Sequence, residues 1–229
     1  MIPFKISVII PVYKAEKFIS RCAESLFSQS LDGIEFIFVD DCTPDNSIEI
    51  LKSVAGRYEN SDNRIKIVRM PVNSKQAAAR NEGLKHATGE YIIHCDPDDW
   101  VDNDLYEKMY HAAKDNDYDI VTCGYMEHLK DGKREKSSLL TFEKPFEPIQ
   151  SDRFFFPALW RHLIKRQLIA ENDITFYPDV NFMEDFGFVC RALYHAKSVG
   201  HVHSSFYHYN KTNDDSITTR INSPSVVKQ

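Results

Sequence analysis

Strand-like and helix-like patterns alternate along the first hundred residues, and this alternation restricts the fold more than any other feature of the chain. Residues 6–12 form a nearly continuous apolar run, which is typical of a strand buried on both faces, and 34–39 is predicted to be a second buried strand. Two further strands are predicted at 64–70 and 91–95. Segments with helical periodicity or helix-start signals lie between them, at 17–30, 43–58 and 76–87. Such alternation favours parallel βαβ units, so the sequence predicts an α/β fold with a mostly parallel central sheet flanked by helices.

The regular pattern ends near residue 101. We therefore interpret residues 1–101 as one half of the domain, residues 102–217 as a smaller and mixed second half, and residues 218–229 as a loose tail. Thr43-Pro44 is expected to begin the second helix, with Thr43 as its N-cap and the proline at the first helical position.

The second half is predicted to combine helices with short strands. The expected helices are at 104–116, 158–168 and 185–196, and the expected strands are at 120–124 and 201–209. Asp131-Gly132 predicts a hairpin turn, while two prolines favour a linker at 143–152. The polar residues after Asn210 are expected to be loose.

The composition argues against a nucleic-acid ligand. With 28 Lys and Arg against 34 Asp and Glu, the formal net charge is -6, whereas nucleic-acid binders usually carry a basic stripe. Five cysteines, an odd number without CxxC spacing, favour a reducing cytosol over a disulfide framework or a zinc site. No apolar run reaches the length of a membrane span, and the first ten residues lack a separate leader pattern. We expect a cytoplasmic protein that contacts the inner face of the membrane at most peripherally.

An acidic cluster directly follows the fourth predicted strand. Asp96, Asp98 and Asp99 place three carboxylates within four residues, and their mutual repulsion is unfavourable unless a cation binds. Mg²⁺ and Mn²⁺ prefer carboxylate oxygens and keep coordination positions open for phosphate. Ligands of parallel sheets bind at the carboxyl ends of the strands, so the position favours a divalent-cation site. The alternative is an exposed turn that caps the next helix, a role that Asp102 alone could fill.

Two further residues are expected at the same edge of the sheet. Tyr13 follows the first strand, and its ring can stack on a nucleobase. Asp40 ends the second strand and can accept a hydrogen bond from a base N–H. Each has an alternative role, because Tyr13 can be a packing residue and Asp40 a helix cap. Together with the acidic cluster, they predict a nucleotide-binding site.

Three segments carry a resemblance to a known family. They read SVIIPVYKAEKFI, FIFVDDCTPDNS and NSKQAAARNEGLKHATGEYIIHCDPDDW. In this order they resemble the nucleotide-binding half of the inverting family 2 glycosyltransferases, which adopt the GT-A fold with a Rossmann-like sheet. The likeness covers residues 5–101 almost without gaps, and a weaker similarity continues at 159–169 and 182–188. QxxRW, a motif of the processive members, is missing, so the resemblance implies a non-processive enzyme of the bacterial type.

The resemblance implies a role for the residues of the first half that match family motifs. Asp98 would ligate a Mn²⁺ or Mg²⁺ ion that bridges the diphosphate of a nucleotide sugar, Asp99 could share this role, and Asp96 would lie near the ribose. Ser74-Lys75 stands where the family commonly has a glycine pair before this helix, and Lys75 could contact the base or the phosphates directly. The base, most often uracil, would contact Pro11, Val12, Tyr13 and Asp40.

The second half contains the residues implied for catalysis and for the acceptor. The family's catalytic base is an acid in an ED motif, matched here by Glu184-Asp185, with Asp185 as the candidate and Glu184 in reserve. On sequence alone, two acids before an apolar helix also complement the dipole of its N-terminus. Trp160 and Arg161 are predicted to line the acceptor site, with Trp160 packing beneath it as the alternative. Arg80, in the family's ARN segment, is interpreted as a partner of buried acids rather than as a phosphate ligand.

The implied activity is the metal-dependent, inverting transfer of one sugar, most often from a UDP-sugar, to a hydroxyl group of a glycan or lipid-linked acceptor. Synthesis of cell-surface polysaccharides or glycoconjugates is the usual setting of such relatives. Two alternatives stay open: a catalytically weak subunit that binds nucleotide sugars or serves as a scaffold, and an enzyme like the sugar-nucleotide pyrophosphorylases. The pyrophosphorylases carry a glycine-rich loop after their first strand, where this chain reads VYKAEK. GxGxxG, the signature of dinucleotide-binding dehydrogenases, is also missing.

Overall fold

A computed structural model of the chain describes residues 4–58, 64–136, 158–180, 183–214 and 216. The linker predicted at 143–152 and the tail predicted at 218–229 lie outside these residues. Among the helices of the described part, none is both long and apolar enough to cross a bilayer.

The strands of the described residues form one mixed sheet. They are β1 (Ile6–Val12), β2 (Ile34–Asp40), β3 (Ile65–Arg69), β4 (Tyr91–His94), β5 (Trp100–Val101), β6 (Ile120–Leu129), β7 (Gly132–Lys136), β8 (His162–Lys165) and β9 (Val199–Asn210). Their order across the sheet is β3-β2-β1-β4-β8-β6-β9-β5, with β7 paired to β6. Strands β3, β2, β1 and β4 are mutually parallel, whereas β8 runs antiparallel to both β4 and β6. The first half of the chain therefore forms the predicted parallel sheet, and the second half extends it with mixed pairing.

Helices cover both faces of this sheet. They are α1 (Ile19–Phe27), α2 (Ser47–Ala55), α3 (Lys75–His86), α4 (Leu105–Asn116), α5 (Arg166–Glu171) and α6 (Glu184–His195). Val8 and Ile10 of β1 lie in a cluster with residues of α1, α2 and α4, while Ile9 lies in a second cluster with residues of α3, α5 and α6. Because both faces are covered, every residue of β1 is buried and all but Ser7 are apolar. The predicted α/β class is confirmed.

Gly83 lets α3 lie close to the sheet. A Cβ atom at this position would come within 2.4 Å of Ile9 Cγ2, well inside van der Waals contact. The other residues that α3 buries include Ala77 and Ala79, so the helix presents a narrow surface to β1. This close approach carries Arg80, which lies one turn before Gly83, into the interior.

The N-cap predicted for the second helix is wrong, because α2 begins at Ser47. Thr43 N–H donates to Asp40 Oδ1 at 2.9 Å, and Thr43 Oγ1 donates to Asp45 Oδ1 at 2.6 Å. These bonds hold Thr43 in the turn that follows β2. Asp45 Oδ1 also accepts from Ser47 N–H at 3.2 Å, so Asp45 satisfies one of the N–H groups that a helix start leaves unpaired.

The helix predicted at 158–168 is also wrong. The segment forms a 3-10 turn (Leu159–Arg161), then β8, and only then α5. Ile164 of β8 lies opposite Ile92 on one side and opposite Ile120 on the other. Strand pairing on both sides therefore outweighs the local helical pattern.

The strand predicted at 120–124 is longer than expected. Strand β6 continues to Leu129 because its second part forms a hairpin with β7. The turn predicted at Asp131-Gly132 is confirmed, and Gly132 has a φ of 140° that favours glycine.

Candidate active site

The loops that follow β1, β2 and β4 meet at one edge of the sheet, where the carboxyl ends of these strands lie. Val12 pairs with Asp40 in the strand register, and Ile9 pairs with His94. Among the described residues, four of the six non-glycine residues with positive φ lie in the loops at this edge, at Lys14, Cys42, Lys75 and Met183, and the other two are Asp117 and Asp173. Left-handed backbone costs such residues about 1–3 kcal/mol each, and it clusters at functional sites. The strain therefore marks this edge as the candidate site.

Arg80 joins the two acidic motifs of the sequence. Only 1% of its side chain is exposed. Nη2 donates to Asp96 Oδ1 at 2.9 Å, while Nη1 donates to Glu184 Oε1 at 2.7 Å and to Asp185 Oδ1 at 2.6 Å. Burial disfavours its charge, but the three carboxylates outweigh burial and raise the pKa of Arg80 above its ordinary value. Arg80 is thus a partner of buried acids, as the sequence predicts.

Asp185 combines a fixed position with access to solvent. Leu159 N–H donates to its Oδ2 at 3.2 Å while Arg80 holds its Oδ1, and 22% of the side chain is exposed. Burial raises the pKa of Asp185 to about 6, although the charge of Arg80 opposes the shift. Glu184 is more enclosed, with 9% of its side chain exposed. Asp185 is therefore ionised at neutral pH and is a stronger base than an ordinary aspartate, as a proton acceptor requires.

Asp98 lies at the predicted cation position in the turn after β4. Its side chain is partly exposed, and its Oδ2 accepts a hydrogen bond from Asn213 Nδ2 at 2.7 Å. Burial, and then the charge of Asp96, raises the pKa of Asp98 to about 6. This excess of negative charge fits a Mg²⁺ or Mn²⁺ ion, which needs one or two protein carboxylates when phosphates complete its coordination. Among the described residues, no group of three metal-binding side chains is preformed.

Asp99 has a different environment from the one expected for a shared metal ligand. It is fully buried, and its oxygens accept hydrogen bonds from Tyr207 Oη at 2.6 Å and from Asn210 N–H at 2.7 Å. Burial, and then the charges of Asp98 and Asp96, raise the pKa of Asp99 well above its ordinary value. Both of its oxygens accept hydrogen bonds inside the protein, so neither is open to a cation. We therefore interpret Asp99 as a structural residue of the turn, and we keep the ligand role for Asp98.

Strand β9 holds the acidic turn in place, a relation that the sequence analysis missed. Besides its bond to Asp99, Tyr207 Oη accepts from Asp96 N–H at 3.0 Å. Asn210 Nδ2 donates to the carbonyl oxygen of Asp98 at 3.2 Å. These partners lie more than a hundred residues apart in the chain, and no local pattern in the sequence indicates the contacts.

The residues that follow β9 also differ from their expected looseness. Lys211 N–H donates to the carbonyl oxygen of His128 at 2.9 Å. Asn213 then reaches the carboxylate of Asp98. The described part of this segment is therefore tied both to β6 and to the acidic turn.

Tyr13 is the exposed member of the predicted nucleotide site. Its ring is 43% exposed, and Lys14 Nζ lies 5.4 Å from the ring centroid. Pro11 and Val12 are buried at the end of β1. The carbonyl oxygen of Val12 accepts from Asp41 N–H at 3.1 Å, so the loops after β1 and β2 are joined where a base would lie.

Asp40 and Asp41 hold the surrounding loops. Asp40 is buried and closes the turn to Thr43, so it is a turn residue rather than a helix cap. Asp41 accepts from Ser74 N–H at 2.7 Å and from Lys75 N–H at 3.0 Å, so its side chain caps α3. Burial raises the pKa of Asp41 despite these bonds. The contact of Asp40 with a base stays a prediction.

Lys75 begins α3 with a φ of 71° and an exposed side chain. Glycine is the residue that adopts this conformation without steric cost. The geometry thus gives a physical reason for the glycine pair that is common at this position in the family. Its backbone N–H donates to Asp41 in the loop after β2, and its contact with a donor stays a prediction.

Trp160 and Arg161 are buried beside the acidic motifs. Trp160 is 3% exposed and stacks on Tyr207 with ring centroids 4.1 Å apart. Arg161 is 5% exposed, and its Nε donates to the carbonyl oxygen of Cys123 at 3.2 Å. This geometry favours packing beneath the site over direct contact with an acceptor.

Exposed apolar side chains flank the ED pair instead. Met183 is 56% exposed, and Phe186 is 41% exposed. The sequence carried a signal for them, because Met183 and Phe186 stand on either side of Glu184-Asp185 and a helix packed on one face cannot bury both sides.

Family and sequence comparisons agree with this geometry. The model described as glycosyl transferase family 2 matches residues 7–173 of the chain. The chain is 34% identical over 226 residues to the uncharacterized glycosyltransferase EpsJ of Bacillus subtilis (strain 168), across 95% of this chain and 64% of EpsJ. It is 33% identical over 208 residues to the poly(ribitol-phosphate) beta-glucosyltransferase of Bacillus spizizenii, across 90% of this chain and 32% of that protein. The chain thus spans less than two thirds of the length of each relative.

A solved structure shares the fold. The crystal structure of S. aureus TarS 1-349 in complex with UDP superimposes with a TM-score of 0.76 at 22% sequence identity, and the match covers 90% of this chain and 60% of that one. The predicted GT-A arrangement is thereby confirmed.

Proposed function

This chain belongs to glycosyltransferase family 2, and from that premise we propose that it moves one sugar from a nucleotide-diphosphate donor to an acceptor hydroxyl group with inversion. The observation that carries the proposal is the buried guanidinium of Arg80. It binds Asp96 on the donor side and the Glu184-Asp185 pair on the acceptor side, although these motifs lie far apart in the sequence. A single rigid group therefore sets the distance between a bound donor and a proton acceptor.

The donor is a nucleotide sugar, and UDP is the nucleotide we propose. Tyr13 offers an exposed aromatic face at the end of β1, and Asp96 next to Arg80 would face the ribose. The TarS structure, which shares the fold, contains UDP. Lys75 stands at the same edge and can supply positive charge to the diphosphate.

Asp98 would hold a Mn²⁺ or Mg²⁺ ion beside the diphosphate. When bound, such an ion stabilises the charge that develops on the departing nucleotide. Asn213 donates to one oxygen of Asp98, whose side chain is partly exposed, whereas the bonds of Asp99 engage both of its oxygens inside the protein. The chain thus offers one oriented carboxylate rather than a closed ligand cage, as an ion that also binds phosphates requires.

Asp185 is the proposed base. Its carboxylate takes the proton of the acceptor hydroxyl as the oxygen attacks the anomeric carbon, from the face opposite the leaving diphosphate. Arg80 and Leu159 N–H fix the orientation of the carboxylate during this step. Met183 and Phe186, the exposed apolar residues on either side of the Glu184-Asp185 pair in the sequence, would offer an acceptor apolar and aromatic contacts. The poly(ribitol-phosphate) relative supports a glycan or polyol acceptor in cell-surface polymer synthesis.

Release of UDP from UDP-sugars, measured with Mn²⁺ in the presence and absence of acceptor candidates, tests the proposal. Asp185→Asn is expected to slow turnover by about 10²–10⁴-fold, because a positioned base contributes by that order. Its Mn²⁺-dependent binding of UDP should persist. Asp98→Asn should lose the Mn²⁺ dependence of UDP binding.

Glu82→Gln is the matched control, since Glu82 is an acid on α3 that pairs with Lys85 away from the acidic motifs. Near-normal turnover in Asp185→Asn would contradict the assignment of the base. A wild-type chain that binds UDP with Mn²⁺ but releases nucleotide from no sugar donor would favour the scaffold alternative.

A further inference from the structure

One amide group contacts the carboxylate that we assign to the cation. Asn213 Nδ2 donates to Asp98 Oδ2 at 2.7 Å, across 115 residues of sequence. Asn213 lies beyond the end of β9 at Asn210, so pairing within the sheet does not impose this contact. The segment after β9 therefore brings the Asn213 side chain to Asp98 without the help of strand pairing.

The segment that carries Asn213 is fixed by several bonds. Lys211 N–H donates to a carbonyl oxygen of β6 at 2.9 Å. Thr212 N–H and Oγ1 both donate to Asn210 Oδ1, at 3.1 and 2.6 Å, which closes a turn. Ser216 N–H donates to the carbonyl oxygen of Asn213 at 3.2 Å. The backbone on both sides of Asn213 is therefore anchored, so its amide is presented in a defined direction.

The hydrogen bonds of Asp98 differ from those of its neighbour Asp99. The carboxylate of Asp99 accepts from Tyr207 at one oxygen and from Asn210 at the other, and it is enclosed. Asn213 donates to a single oxygen of Asp98, whose side chain stays partly exposed. An amide is also a neutral donor, so it orients the carboxylate without cancelling the negative charge that attracts a cation.

We propose that Asn213 is a positioning residue of the cation site, which engages one oxygen of Asp98 and thereby orients the other toward a divalent ion. The inference rests on the proposed function, because it requires Asp98 to be the cation ligand. Metal-binding carboxylates are commonly hydrogen-bonded to an outer partner, and loss of such a partner typically costs about 10–100-fold in metal affinity.

Mn²⁺ binding tests this inference without any need for turnover. Free Mn²⁺ is followed by electron paramagnetic resonance while the ion is titrated into the protein, with and without UDP. Asn213→Leu removes the donor at similar volume, and we expect its affinity for Mn²⁺ to fall about 10–100-fold. The Tm without divalent ions should stay close to that of the wild type, whereas a merely structural role would lower this Tm and leave Mn²⁺ affinity unchanged.

Lys130→Ala is the matched control, because it removes the ion pair to Asp214 from the same segment while it keeps the amide. Its affinity for Mn²⁺ should stay within about 2-fold of the wild type. Unchanged affinity in Asn213→Leu overturns the inference, and an equal loss in Lys130→Ala does so too, since anchoring of the whole segment would then be the cause. If Asn213→Leu does not fold, Asn213→Ala makes the same comparison.

Asp98→Asn separates this inference from the function on which it rests. If this variant binds Mn²⁺ as tightly as the wild type, the ion does not use Asp98, and the proposed cation ligand fails together with the inference. If Asp98→Asn loses Mn²⁺ but Asn213→Leu and Asn213→Ala keep it, only the role of Asn213 fails.

Discussion

The two edges of the parallel sheet both bury acidic side chains, but they treat them in opposite ways. At the amino edge, the fully buried Glu35 accepts from Ser7 Oγ at 2.6 Å, from Thr88 N–H at 2.6 Å and from Lys66 Nζ at 2.7 Å. Burial by itself raises the pKa of Glu35, but Lys66 and the hydrogen bonds outweigh it and hold the pKa below its ordinary value. One acid thus has several donors.

At the carboxyl edge, the acidic side chains outnumber the basic side chains that pair with them. Arg80 is shared by Asp96, Glu184 and Asp185. The pKa values of Asp98 and Asp185 are both raised to about 6, chiefly by burial. The carboxyl edge therefore carries negative charge that lowers stability until a cation binds. A satisfied acidic cluster indicates a structural role, whereas an unsatisfied one beside strained loops indicates a functional site.

Removal of Arg80 is expected to have the largest effect on stability. Arg80→Met would leave three carboxylates without their shared cation in a mostly buried site, and loss of one partner from a buried ionic cluster costs about 3–5 kcal/mol. The free energy of unfolding in urea at pH 7.5, measured without divalent ions for the variant and the wild type, gives this loss of stability. Lys85→Gln on the same helix is the control, because its ion pair is exposed and should matter by less than about 0.5 kcal/mol. A loss below about 1 kcal/mol in Arg80→Met would show that the carboxyl edge tolerates its charge without this cation.

Glu35→Gln tests the opposite edge. The amide keeps one acceptor for Ser7 and Thr88 but turns an NH₂ group toward Lys66, so we expect a loss of about 1–3 kcal/mol at neutral pH. Because the pKa of Glu35 is lowered by folding, its contribution is present above the ordinary value of 4.5 and disappears as the pH falls through the folded value. The difference between variant and wild type should therefore shrink below about pH 4.5. Glu24→Gln, at an exposed pair with Arg57, controls for the loss of a surface charge. If Glu35→Gln leaves the stability unchanged, the contrast between the two edges of the sheet fails.

Asp98→Asn is expected to raise the stability of the fold, whereas Glu35→Gln is expected to lower it. Folding raises the pKa of Asp98 from 3.8 to about 6, so the folded state binds the proton more tightly and its stability falls as the pH rises between these values. At pH 8 without divalent ions, the neutral amide should therefore stabilise the fold by about 1–2 kcal/mol, and the gain should disappear near pH 4. Asp131→Asn, at an acid that is 75% exposed, is the control. Destabilisation by Asp98→Asn at pH 8 would mean that this carboxylate is structural, like Glu35.

The contrast between the edges also shows where sequence reasoning succeeds and where it fails. Strands β1, β2 and β4 were predictable because each carries its apolar signal within a few residues, and the acids of the turn after β4 stand directly next to that signal. The two-residue strand β5 was not predicted. Strand β8 was not predictable, because its pairing with β4 and β6 decides its conformation. The enclosure of Asp99 by Tyr207, and the contact of Asn213 with Asp98, join residues more than a hundred positions apart. Local sequence patterns identify which acidic side chains lie at the carboxyl edge of the sheet. They do not show which residues from distant parts of the chain form hydrogen bonds with those acids.

The smallest expected effect concerns the strained backbone at Lys75. Two variants of this residue separate the effect of its backbone conformation from the effect of its charge. Lys75 has a φ of 71°, and left-handed backbone costs a side-chain-bearing residue about 1–2 kcal/mol. Lys75→Gly relieves this strain but adds the chain entropy of glycine, so a net gain in stability of about 0.5 kcal/mol is expected. Lys75→Ala keeps the Cβ atom and should bring no such gain, while both variants lose the ammonium group. If the ammonium contacts the donor, calorimetry should show weaker UDP binding in both variants, whereas weakening in Lys75→Gly alone would assign the effect to the backbone. Equal stability of the two variants would show that the loop does not store strain at this position.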